Sequence, residues 1–162
     1  MKSLNLNFIK FRREILLILT ILISLFGLTG WAFNISLLKG DFRNYIPIAP
    51  LVSICFFLLS LSILIIFTTN NKFSHRIAKT ILYVLFSVVL LIFIEHIFSL
   101  KFDIEKVFGT IQQPFSGNIQ KGRMSPVTSA IFILVILSLF LSFSKYRRLK
   151  FSASIISLII GG

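Results

Sequence analysis

The chain has 162 residues, of which 56% are hydrophobic and 14% charged, and its mean hydropathy is +0.96. These values exclude an ordinary water-soluble domain of this size. The formal net charge of +12 does not point to nucleic acid, because the basic residues fall in short clusters between apolar runs and not along one continuous face. Such clusters suit the anionic surface of a bilayer, so the lipid bilayer is the expected partner and nucleic acid is not.

In chain order, Lys2, Lys10, Arg12 and Arg13 lead into an apolar run from Ile15 to Phe33. The run is long for the apolar core of a signal peptide and lacks a small-x-small cleavage site, so it reads as a retained membrane anchor preceded by a cytoplasmic segment, 1–14. Further runs follow at Ile48 to Thr69, Ile77 to Leu100 and Pro126 to Phe143, each long enough to cross a hydrocarbon core of about 30 Å. A shorter run, Phe151 to Ile160, stops at Gly161 and Gly162. It reads as the start of a fifth span, cut before a cytoplasmic output domain. The expected fold class is therefore an all-α polytopic bundle, with a transmembrane region over 15–162.

Orientation follows from the lysines and arginines. Eleven lie before the first span, at the second-to-third connection (Lys72, Arg76 and Lys79), or after the fourth, and six lie in the two other connections, which also hold Asp41, Asp103 and Glu105. The positive-inside rule then puts the N-terminus in the cytoplasm and Trp31 at the outer interface. The last outer connection, Lys101 to Ser125, is long for a loop without structure of its own. Asp103 can cap a short surface helix there, with Ile104, Val107, Phe108 and Ile111 on one face.

The sequence also repeats itself. Ala49 to Ser62 aligns without gaps to Ser125 to Ser138, with Pro50 over Pro126 and Ser53 over Ser129. Both prolines suit the first turn of a helix, and Ser125 can cap its helix whereas the Ala49 side chain cannot. Each repeat reads as an outward helix, an outer loop and a proline-headed helix returning inward. Their N-terminal ends would face an anion or a carboxylate on the outer side.

Glu95 and His96 are the ionisable pair inside an apolar run, and such residues are functional candidates. Glu95 is about 27 Å along the helix axis from Ile77. That depth leaves two readings: a ligand or coupling contact, with Arg123 or the proline-headed helix starts within reach, or simple solvation at the interface. One His beside one Glu does not make a metal site, because adjacent helical residues point about 100° apart. Neither a cofactor nor a catalytic triad is indicated. Ser53 with Ser60, Ser125 with Ser129, Ser138 with Ser142, and Gly27 with Gly30 mark packing faces that allow close helix approach.

The string Gly122-Arg123-Met124-Ser125-Pro126-Val127-Thr128-Ser129-Ala130, followed by Phe132, resembles the "GRMSPNTA…F.L" signature in N-terminal membrane domains of bacterial sensor histidine kinases and diguanylate cyclases. Glu95 and the stretch Phe102 to Phe108 agree with the same pattern, and the resemblance runs from Trp31 to about Arg148. The sequence departs from the signature at Val127 and Ser129. The resemblance implies a sensory input module in a bacterial inner membrane, homodimeric through its parent protein and answering an unidentified stimulus. Candidate ligand or coupling residues are Glu95, His96, Asp103, Arg123 and Ser125. The chain holds no phosphoacceptor histidine motif, nucleotide lid or GGDEF string. A small transporter or channel subunit is the alternative from another class, and a purely structural membrane protein a third.

Overall fold

A computed structural model describes residues 2–39, 48–100 and 123–142, with the side chains of the first stretch described from Phe11 to Leu38. The expected surface helix after Asp103 and the run from Phe151 lie outside the described residues. Five helices follow in order: α1 (Lys2–Ala32), α2 (Ser36–Lys39), α3 (Pro50–Thr68), α4 (Lys72–Ile97) and α5 (Pro126–Ser142). No strand occurs among the described residues. Three segments, Phe11–Ala32, Pro50–Thr68 and Lys72–Ile97, are long and apolar enough to cross a membrane. The chain is thus an all-α membrane protein. The 17 residues of α5 cover about 26 Å, so it falls a little short of a full crossing by length.

The helix ends differ from the sequence expectations for identifiable reasons. Asn71 caps α4, its side-chain oxygen accepting the Phe73 N–H at 3.0 Å, so the helix begins five residues ahead of the expected Ile77. At the other end Ser99 has φ 51°, and Leu100 N–H donates to Glu95 O at 3.0 Å. That is a Schellman termination. It closes the helix at Ile97 rather than at Leu100. Asn34, with φ 56°, ends α1 in the same way, its N–H donating to Trp31 O and that of Ile35 to Gly30 O. Helix α1 itself begins at Lys2, so the basic leader is helical and continuous with the apolar run.

The chain divides into two compact units, one built from 1–82 with 105–123 and the other from 83–104 with 124–162. In the first, α1 packs on both α3 and α2. Its contact with α3 is antiparallel and is fixed at three levels. The Arg13 guanidinium lies 3.8 Å from the centre of the Phe67 ring, a cation–π contact. A Cβ on Gly27 would meet Ser53 Oγ at 2.6 Å, and Trp31 Nε1 donates to Ile48 O at 2.7 Å. Gly27 lies 14 residues after Arg13 and Ser53 lies 14 residues before Phe67, so the two helices keep step over about 21 Å.

Helix α3 is buried on two opposite sides. Ser53 and Ser60 lie on the side that meets α1, while Leu51, Cys55, Leu59 and Ser62 form the other. A helix buried on two opposite sides carries apolar or small residues all round, which accounts for its near-featureless sequence. Ser62 and Thr68 donate to their own helix carbonyls, Leu58 O and Leu64 O, both at 2.7 Å. Their hydroxyls are thereby satisfied without water, as an apolar environment requires.

Candidate functional site

The second unit takes its inner faces from α4 and α5. On α4, Leu85, Val89 and Ile92 are buried and continue a stripe begun by Ala78 and Leu82. The spacing alternates between four and three residues, as one helical face demands. Glu95, three residues after Ile92 and at the edge of that stripe, is also buried, 2% exposed. A carboxylate therefore stands in a core position, and the reading of Glu95 as solvated at the interface does not describe this fold.

On α5 the buried residues Ser129, Phe132 and Ile136 form a single stripe, extended by Phe140, whose ring stacks on Tyr83 at 4.6 Å and meets Phe86 edge-on at 6.2 Å. These ring contacts join the middle of α4 to the C-terminal end of α5. Glu95 lies 12 residues beyond Tyr83, and Thr128 lies 12 residues before Phe140. In an antiparallel pair this puts the carboxylate level with the first turn of α5.

That turn is internally well satisfied. Pro126 has no N–H to place, Thr128 N–H donates to Ser125 Oγ at 3.1 Å, and Ser129 N–H donates to Ser125 O at 3.0 Å. Ser125 also shares a hydrogen bond of 2.8 Å with Thr128 Oγ1. Ser125 thus caps α5, as its place in the sequence requires. Pro50 heads α3 over Ala49, which makes no side-chain cap; there the backbone closes the turn, with Val52 N–H donating to Ala49 O at 3.0 Å. The two proline-headed helices share the burial of Ser53 and Ser129 but differ at the residue after the proline, Leu51 being buried and Val127 exposed. Ser129 is turned inward, its hydroxyl donating to Pro126 O at 2.8 Å.

The other expected residues fall as follows. His96 is half-buried, with Nδ1 2.8 Å from Ile92 O, so that nitrogen carries the proton and donates to the helix's own carbonyl. Arg123 is half-buried and stands directly before Met124, while Asp103 lies outside the described residues. Met124 is fully buried beside the cap, and sequence reasoning did not single it out. Its signal was weak: a methionine between Arg123 and Ser125 carries no periodicity of its own. Among the described residues, no three of His, Cys, Asp and Glu gather as a metal site.

Chemically, the arrangement offers a buried acid at one end of α4, with a buried methionine and a serine cap at the level of that acid. It can hold two helices in a defined packing and respond to a change at that end. No family model, characterised protein or solved structure matches the chain.

Proposed function

We propose that this chain is the membrane-embedded input module of a bacterial signal-transduction protein, a sensor histidine kinase in the first instance. It would sit in the cytoplasmic membrane with its N-terminus inside and work as a homodimer through its parent. The observation that carries this reading is Glu95 in the last core position of α4. Burying a carboxylate costs several kcal/mol unless its environment offsets it, so a chain that needed only to span the bilayer would place an apolar residue there. Intramembrane ionisable residues mark functional positions for this reason.

The resemblance of Arg123-Met124-Ser125-Pro126 to the signalling signature supports the same reading. A stimulus acting at the outer end would change how the Glu95 end of α4 packs, and the helix would carry that change toward Lys72 on the cytoplasmic side. The diguanylate cyclase alternative uses the same input and differs only in output. A transporter would need broken helices or polar residues near mid-membrane, and α3 and α4 run uninterrupted through their apolar lengths.

The test is biochemical. Membranes from cells expressing the complete parent protein are incubated with labelled ATP or GTP. Acid-labile phosphoryl transfer to protein supports the kinase, and formation of cyclic diguanylate supports the cyclase. Membranes that do neither, yet move a solute across sealed vesicles, would overturn the input-module reading.

A further inference from the structure

The cytoplasmic-type end of the first unit carries a charge arrangement that helix physics disfavours. Helix α4 opens with Lys72, and Arg76 and Lys79 follow at i+4 and i+7, all three exposed on one face. Its first turn has no acidic residue. A cation in the first turn of a helix opposes the macrodipole, and Lys72 stands there. The one acid of the helix, Glu95, is at its other end. Nearby, Arg13 is held on the Phe67 ring, and Arg12 and Glu14 have interactions of their own. Among the described residues, the α4 stripe is what remains for an outside anion.

Depth says which anion. The 26 residues of α4 extend about 39 Å, roughly 9 Å more than a hydrocarbon core, and the surplus falls naturally at the polar Lys72 end. Beside the basic stripe runs a second exposed one, Phe73, Ile77, Val84 and Leu91, again at helical spacing. The two polar residues within it, Thr80 and Ser87, turn their hydroxyls onto Arg76 O and Tyr83 O, both at 3.0 Å. That stripe presents an apolar surface to its surroundings. A cationic head and an apolar flank on one helix complement an amphiphile with an anionic head.

We propose that Lys72, Arg76 and Lys79 dock the phosphodiester headgroup of an anionic phospholipid whose acyl chain lies along Phe73, Ile77, Val84 and Leu91. The inference rests on membrane insertion alone and not on the signalling role. Near a membrane surface each lysine or arginine strengthens attraction to anionic lipid by roughly fivefold. Three cations on one face therefore give a preference far above that of a neutral helix.

The experiment is native mass spectrometry of the full chain in detergent, titrated with phosphatidylglycerol or phosphatidylcholine, with helicity checked by circular dichroism for every variant. The expected result is tighter binding of phosphatidylglycerol by about tenfold or more. Lys72→Gln/Arg76→Gln/Lys79→Gln should abolish the preference, and Lys101→Gln/Lys106→Gln/Lys121→Gln, which removes the same charge elsewhere, should keep it. Equal losses in the two triple variants, no preference in the wild type, or displacement of the lipid by inorganic phosphate would each overturn the proposal. A chain that stays soluble without detergent and binds neither lipid would remove the membrane reading along with it.

Discussion

Gly27 on α1 and Ser53 on α3 approach so closely that a single added carbon has no room: a Cβ on Gly27 would lie 2.6 Å from Ser53 Oγ and 3.5 Å from Ser53 Cβ. The second distance is ordinary contact, so the obstacle is the hydroxyl oxygen alone. Gly27→Ala forces that hydroxyl into another rotamer and should therefore loosen the α1–α3 pair by about 1 kcal/mol, and Ser53→Ala should restore most of the loss when combined with it. Thermal unfolding in detergent of the two single variants and the double variant measures this as a cycle. Additive losses would show that the oxygen is not what limits the approach.

Ser99 supplies a second, local prediction. A serine at φ 51° occupies a left-handed conformation that disfavours residues with a Cβ, and glycine is the usual occupant of that site in a Schellman termination. Ser99→Gly should stabilise the end of α4 by about 1 kcal/mol. The readout is slower hydrogen exchange at Phe98 and Leu100, whose N–H groups donate to Ile94 O and Glu95 O. Unchanged or faster exchange would contradict the assignment.

How much of this was legible in the sequence depends on which physical signal each feature leaves. Apolar length gave the membrane helices, and proline at N1 with Ser125 before it gave the start of α5 to the residue. Gly27 and the serines at 53 and 60 were readable as a packing face because small residues at helical spacing have few other uses. The end of α4 was not readable, because Ser99 and Leu100 are as compatible with continuing a helix as with ending one. Its start was missed for a related reason: Lys72 and Arg76 look like loop residues until Asn71 is recognised as a cap. The depth of Glu95 along the helix could be counted from Ile77. Its burial could not, since that depends on which face of α4 turns inward, and the stripe from Ala78 to Ile92 becomes visible only when the neighbours are in place.

The lysine and arginine distribution makes a topological prediction independent of the packing. A reporter enzyme fused after Asn118 should be active only outside the cytoplasm, and one fused after Lys145 only inside it. The bias of eleven basic residues against six sets the direction. The opposite pattern of activity would reverse the orientation and move the Lys72 stripe to the outer leaflet.

Glu95 carries the last prediction, which separates charge from packing at the candidate site. The side chain is 2% exposed and is the last buried residue of α4, so Glu95→Ala removes both the acidic group and the volume that fills its place. It should lower stability in detergent by about 1–3 kcal/mol. Glu95→Gln keeps the shape and removes only the acidic group, so the fold should hold. If the carboxylate transmits a stimulus, Glu95→Gln in the complete parent protein should change resting output or its response several-fold. Glu105→Gln, ten residues further along the chain, should not. Output is compared in cells at matched membrane abundance, with unfolding of the same variants recorded alongside. Glu95→Gln with wild-type output, together with a destabilised Glu95→Ala, would make the residue a packing element of α4 and remove it from the functional site.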